Sequence, residues 1–79
     1  MKTTDVLKIE LKKLRTRAGL TQQEVATKFG YTTAQFVSNW ERGLITPPIK
    51  TAKRLSLMCG KNEKYLMPLY LKIEEDRWN

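Results

Sequence analysis

The sequence predicts an all-α domain of five helices, and three observations predict it. Apolar residues recur at intervals of three and four along most of the 79-residue chain. Several of these stretches open on a cap signature, a Thr or Asn or an early proline. Glycines at 19, 30, 43 and 60 stand where four of the five stretches would stop. No segment reads as a strand.

The first helix opens near Thr4, a candidate cap, with Asp5 suited to the first turn. Leu7, Leu11, Leu14 and Ala18 then recur at four, three and four, one face of a helix, and Gly19 is its stop. Lys8, Lys12, Lys13, Arg15 and Arg17 lie off that stripe. The second helix opens on Thr21-Gln22-Gln23-Glu24, a capping box, and runs for about ten residues to Gly30. Val25, Ala26 and Phe29 supply its apolar side.

The third helix lies within Thr32–Gly43, with Thr32 and Gln35 repeating the capping-box spacing more weakly. At about 100° per residue, Gln35, Ser38, Asn39 and Arg42 share one face, while Phe36, Val37 and Trp40 fall on the other. The second group predicts a core face anchored by Trp40. The first carries short amide and hydroxyl groups where a solvated face more often carries Lys and Glu. Gln and Asn can bond bidentately to adenine, Ser reads several bases, and Ala34 can touch a thymine methyl. A plain surface helix and a base-reading helix both fit this face taken alone.

After a loop, Pro48 suits the first position of a fourth helix, whose inner stripe is Ile49, Ala52, Leu55 and Cys59. Asn62 can cap a fifth. Pro68 forbids a continuous helix through it, so this helix kinks or restarts there.

Charge is unevenly spread. The formal net charge is +7, and all of it lies in residues 1–60, where eleven Lys/Arg face four acids; residues 61–79 are balanced. A basic patch attracts polyanions, and a charge of this size also serves solubility. With no histidine and one cysteine, Cys59, the chain offers no zinc pattern and no disulfide within itself. No serine has an evident base, and no carboxylate pair is placed to act as acid and base. The expectation is a non-enzymatic protein without cofactor or metal. The amphipathic N-terminus and the lack of a long apolar run predict no signal peptide, no membrane partner and a cytoplasmic setting.

A short helix ending at Gly30, a turn, and a helix with a polar outer face make a helix-turn-helix arrangement. Its second helix would lie in the major groove of DNA and its first would cross the backbone. The stretch Leu20 to Gly43 resembles the DNA-binding core of the lambda-repressor-like, Cro/XRE-type helix-turn-helix family. The features that carry the likeness are Leu20-Thr21-Gln22, Glu24, Ala26, Gly30 and Glu41-Arg42-Gly43. The pattern extends over roughly Leu7 to Cys59.

The resemblance implies five helices around one core, double-stranded DNA as partner, and transcriptional control by a dimer. It implies that Thr33, Ala34, Gln35, Ser38 and Asn39 approach bases on a helix over 33–42. It implies that Thr21, Gln22 and Arg42 hold phosphates, with Lys50 and Lys53 as further phosphate contacts. The spacing from Gly30 to Gly43 is one residue longer than in the commonest members, with the extra residue near Tyr31 to Thr33. Residues 1–79 are expected to form one domain, in which 61–79 is a C-terminal helix and a candidate for dimerisation. Leu69, Tyr70 and Ile73 are assigned to that interface, against the reading that they complete the chain's own core. The function expected is a dimeric repressor; the alternative is an antitoxin- or adaptor-type module that binds a protein partner through its last helix.

Overall fold

The computed structural model describes residues 1–78, and these are all-helical, as expected. Five helices follow in order: α1 (Thr3–Arg17), α2 (Gln22–Lys28), α3 (Gln35–Glu41), α4 (Ile49–Met58) and α5 (Met67–Arg77). α1 packs against both α3 and α5, and α2 against α3. The buried core joins Leu7, Leu11 and Leu14 of α1 to Val25 and Ala26 of α2, Val37 and Trp40 of α3, Ala52 and Leu55 of α4, and Leu66 just before α5. Every helix except α5 contributes at least two buried side chains.

Several boundaries differ from the sequence reading. α1 starts one residue before Thr4, with Lys2 in the cap position, and Asp5 accepts the Lys2 backbone N–H at 3.1 Å. Its buried stripe ends at Leu14; Ala18 is exposed because the helix has already turned off the core. α2 has its expected capping box: Thr21 Oγ1 accepts the Glu24 N–H at 3.0 Å, and Glu24 accepts the Thr21 N–H at 2.9 Å. It is shorter than expected, seven residues.

Thr32 does not cap α3. Ala34 holds the cap position without a side-chain bond, and Thr33 Oγ1 accepts the Gln35 N–H at 3.3 Å. Pro48 caps α4 instead of entering it. Ile49 points to solvent, and Ser56 takes the inner face in its company with Ala52 and Leu55. That burial costs little, because Ser56 Oγ donates to the Ala52 carbonyl at 2.9 Å. The helix after Gly60 restarts at Met67, with Pro68 in the first turn where it loses no hydrogen bond. Asn62 starts no helix; its Oδ1 accepts the Lys64 N–H at 2.8 Å within a turn.

A candidate nucleic-acid interface

α2 and α3 are joined by residues 29–34. Gly30 takes φ +81°, a conformation that side chains disfavour, and lets the Tyr31 N–H reach the Ala26 carbonyl at 2.9 Å to close α2. Residues 31–34 run as irregular backbone. An aromatic cluster holds the turn on the core. Trp40 meets Phe29 edge-on with ring centres 5.8 Å apart, and Tyr31 stacks on Phe29 at 5.9 Å.

α3 is only seven residues long, too short to be stable by itself, so tertiary contacts must fix it. Val37 and Trp40 are 2% and 3% exposed and supply the apolar anchor. Glu41 supplies a polar one. Its carboxylate accepts Arg15 Nε at 2.6 Å and Arg15 Nη2 at 2.9 Å, in a fork-to-fork pair whose side chains are 11% and 5% exposed. The same carboxylate accepts Gln22 Nε2 at 3.1 Å, and Arg15 Nη1 donates to the Leu20 carbonyl at 2.8 Å. One buried cluster therefore ties α1, the entrance to α2 and the end of α3. Hydrogen bonding to Glu41 raises the Arg15 pKa above its ordinary value, so the guanidinium stays charged.

This pin was not foreseen. Arg15 read as one of several cations off the stripe, and nothing local links it to a glutamate 26 residues later. Its only local signal is position, next to Leu14 at the edge of the buried face.

The opposite face of α3 is the polar one. Gln35 is exposed, Ser38 and Asn39 are half-buried, and Arg42 is exposed just past the helix end. Gln35 Nε2 donates to Asn39 Oδ1 at 2.9 Å. That bond leaves the Gln35 carbonyl oxygen and the Asn39 amide N–H groups unspent, one acceptor beside donors, the complement of an adenine edge. Thr33 is exposed in the turn and Ala34 is half-buried against the core, so both lie before the helix that was expected to carry them. Phe36, expected in the core, is 49% exposed and leans on Tyr31 with ring centres 4.9 Å apart.

The expected phosphate contacts divide. Thr21, Arg42 and Lys50 are exposed; Lys53 and Gln22 are half-buried, and Gln22 is held by Glu41. Arg54, next to Lys53, lays its guanidinium 4.6 Å from the Phe29 ring centre and so clips α4 to the end of α2. Leu69, Tyr70 and Ile73 are half-buried against the chain's own core, and the Tyr70 hydroxyl donates to the Pro47 carbonyl at 2.6 Å.

Two short helices packed on each other across a turn, a polar outer face and a buried pin behind it match a known pattern. A family model described as helix-turn-helix matches residues 11–66. The chain belongs to that family, the Cro/C1-type helix-turn-helix proteins. α2 and α3 are thus the helix-turn-helix pair of a DNA-binding regulator, and double-stranded DNA is its partner. The match spans all of α2, α3 and α4 and the second half of α1, and stops at Leu66, before α5. No curated protein and no solved structure matches the chain. No helix among the described residues is long and apolar enough to cross a membrane.

Proposed function

We propose that this protein is a sequence-specific, dimeric transcriptional repressor that reads the major groove with α3. The observation that carries the reading is the Gln35–Asn39 amide pair on the outer face of a helix fixed from behind by Val37, Trp40 and Glu41. A rigid element that offers hydrogen-bonding groups to the outside suits base recognition, because the groups need not be ordered at the moment of binding. Base contacts fall to Gln35, Ser38 and Asn39, with Thr33 and Ala34 at the edge. Phosphate contacts fall to Thr21, Gln22, Arg42, Lys50 and Lys53, where cations give affinity without sequence choice. Two copies would meet through the C-terminal helix, where Leu69, Tyr70 and Ile73 keep part of their apolar surface in water.

Repression follows from occupancy: a small domain bound to a promoter competes with polymerase. The test is selection of binding sites from a random DNA library at two salt concentrations, with the oligomeric state measured by gel filtration. A two-fold symmetric consensus, with half-sites about 34 Å apart, supports a dimer reading two grooves. Weak binding that selects no sequence and fades with salt would defeat it.

A second reading rests on α5. Leu71 and Trp78 are well exposed there, and α5 lies outside the family match. Those side chains suit an antitoxin- or adaptor-type contact with another protein. Recovery of a stable hetero-complex, with no homodimer, would favour it.

A further inference from the structure

Phe36 is the large apolar residue of α3 that the core leaves half exposed. Val37 and Trp40 fill the core, Glu41 binds Arg15, and Gln35 bonds to Asn39. Ser38 is half-buried on the polar face. Phe36 leaves about half of its surface in water, a large apolar group where a solvated helix face more often carries a polar one. Its position around the helix is telling: at about 100° per residue it lies about 40° from the core residue Trp40 and about 60° from Asn39, at the border between the core face and the polar face. Its ring is not loose either, because Tyr31 braces it at 4.9 Å and Tyr31 is itself held against Trp40 at 6.2 Å. The residue that the sequence assigned to a thymine methyl, Ala34, is half-buried against the core at the helix cap and has little surface to offer.

We propose that the exposed edge of Phe36 reads the 5-methyl group of a thymine flanking the base pair taken by Gln35 and Asn39. This inference rests on the reading of α3 as the groove helix. Each base pair shows its own pattern in the major groove, and the methyl of thymine is its apolar mark. A half-exposed ring, braced from one side, gives that methyl a surface to bury against. A neighbouring amide pair that reads adenine and an aromatic that reads thymine would together favour A·T-rich half-sites.

The experiment uses the full chain and the consensus duplex from site selection. Each thymine in a half-site is replaced in turn by deoxyuridine, which removes only the methyl, and Kd is measured by fluorescence anisotropy. For the wild type, uracil at one thymine per half-site should weaken binding about fourfold, the effect of losing one buried methyl group. Phe36→Ala should bind the thymine duplex about as weakly and should no longer distinguish it from the uracil duplex. Phe36→Gln puts a polar group of similar length in place of the ring edge; it should also lose the discrimination, and it serves if Phe36→Ala does not fold.

A wild type indifferent to every uracil overturns the proposal and leaves the groove reading standing. Uracil sensitivity that persists in both variants does the same and assigns the methyl to another side chain. Failure to select any consensus removes the groove reading, and the proposal with it.

Discussion

α3 and α5 are stabilised in opposite ways. α3 has seven residues, two buried apolar anchors and a carboxylate tied to helix α1. α5 has eleven residues and none of them is buried. It carries its own surface ion pairs instead, Lys72 with Glu75 and Asp76 at 3.6 and 3.3 Å, and Arg77 with Glu74 at 3.5 Å. Such pairs link neighbours one turn apart and add only tenths of a kcal/mol each. α5 docks through half-buried residues, with Leu69, Tyr70 and Ile73 against the core, while α3 is held by fully buried anchors. The element proposed to read bases is the one fixed by buried contacts.

The sharpest way to break this comparison is at the pin. Glu41→Ala leaves the Arg15 guanidinium buried without its partner, and should cost about 3–5 kcal/mol in a urea or thermal unfolding series. Lys72→Ala on α5 should change stability by about 0.5 kcal/mol or less. Equal effects would mean that α3 and α5 are held alike after all.

On the polar face of α3, proposed to read bases, Gln35→Ala and Asn39→Ala should each cost about 1–3 kcal/mol of discrimination at one base position. Because the two amides bond to each other, the double variant should lose less than the two singles together, which a double-mutant cycle on the selected site would show. Additive losses would mean that they read separate bases independently. Neither change should move the melting temperature much, since both amides lie outside the core.

The proposed phosphate contacts should behave differently from the proposed base contacts. Arg42→Ala should weaken all DNA alike and reduce the slope of log K against log salt by about 1. Gln22→Ala should also weaken all DNA, but without changing that slope, since it removes no charge.

A modest effect is expected on the docking of α5. Burial pushes the Tyr70 phenol up to about 12. The folded protein therefore holds this proton more tightly than the unfolded chain, whose tyrosines ionise near ~10. The contribution of Tyr70 is complete below about pH 10 and is lost as pH rises through about 12. Tyr70→Phe removes the hydrogen bond to Pro47, should cost about 1 kcal/mol at neutral pH, and should flatten that alkaline limb in a pH series of melts.

Much of this molecule was legible in its sequence. The five helices, the capping box at Thr21 and Glu24, the core role of Trp40 and the polar face of α3 follow from caps, breakers and the helical period, which act over a few residues. The family likeness followed from the same local features. What the period could not tell was which residues at the edge of a stripe go inward. Phe36 and Ile49 were expected inside and lie half in water; Ser56 was not, and is buried because its hydroxyl finds the carbonyl of Ala52. A neighbouring helix decides such cases, and its position is not written in the stripe.

The pin of Arg15 to Glu41, the clip of Arg54 on Phe29 and the bond from Tyr70 to Pro47 join residues 26, 25 and 23 positions apart. By itself the sequence determined the helices, their order and the chemistry offered on α3. The tertiary structure alone decided which charges are tied up inside and which stay outside, because that choice depends on distances set only when separate helices close on one core.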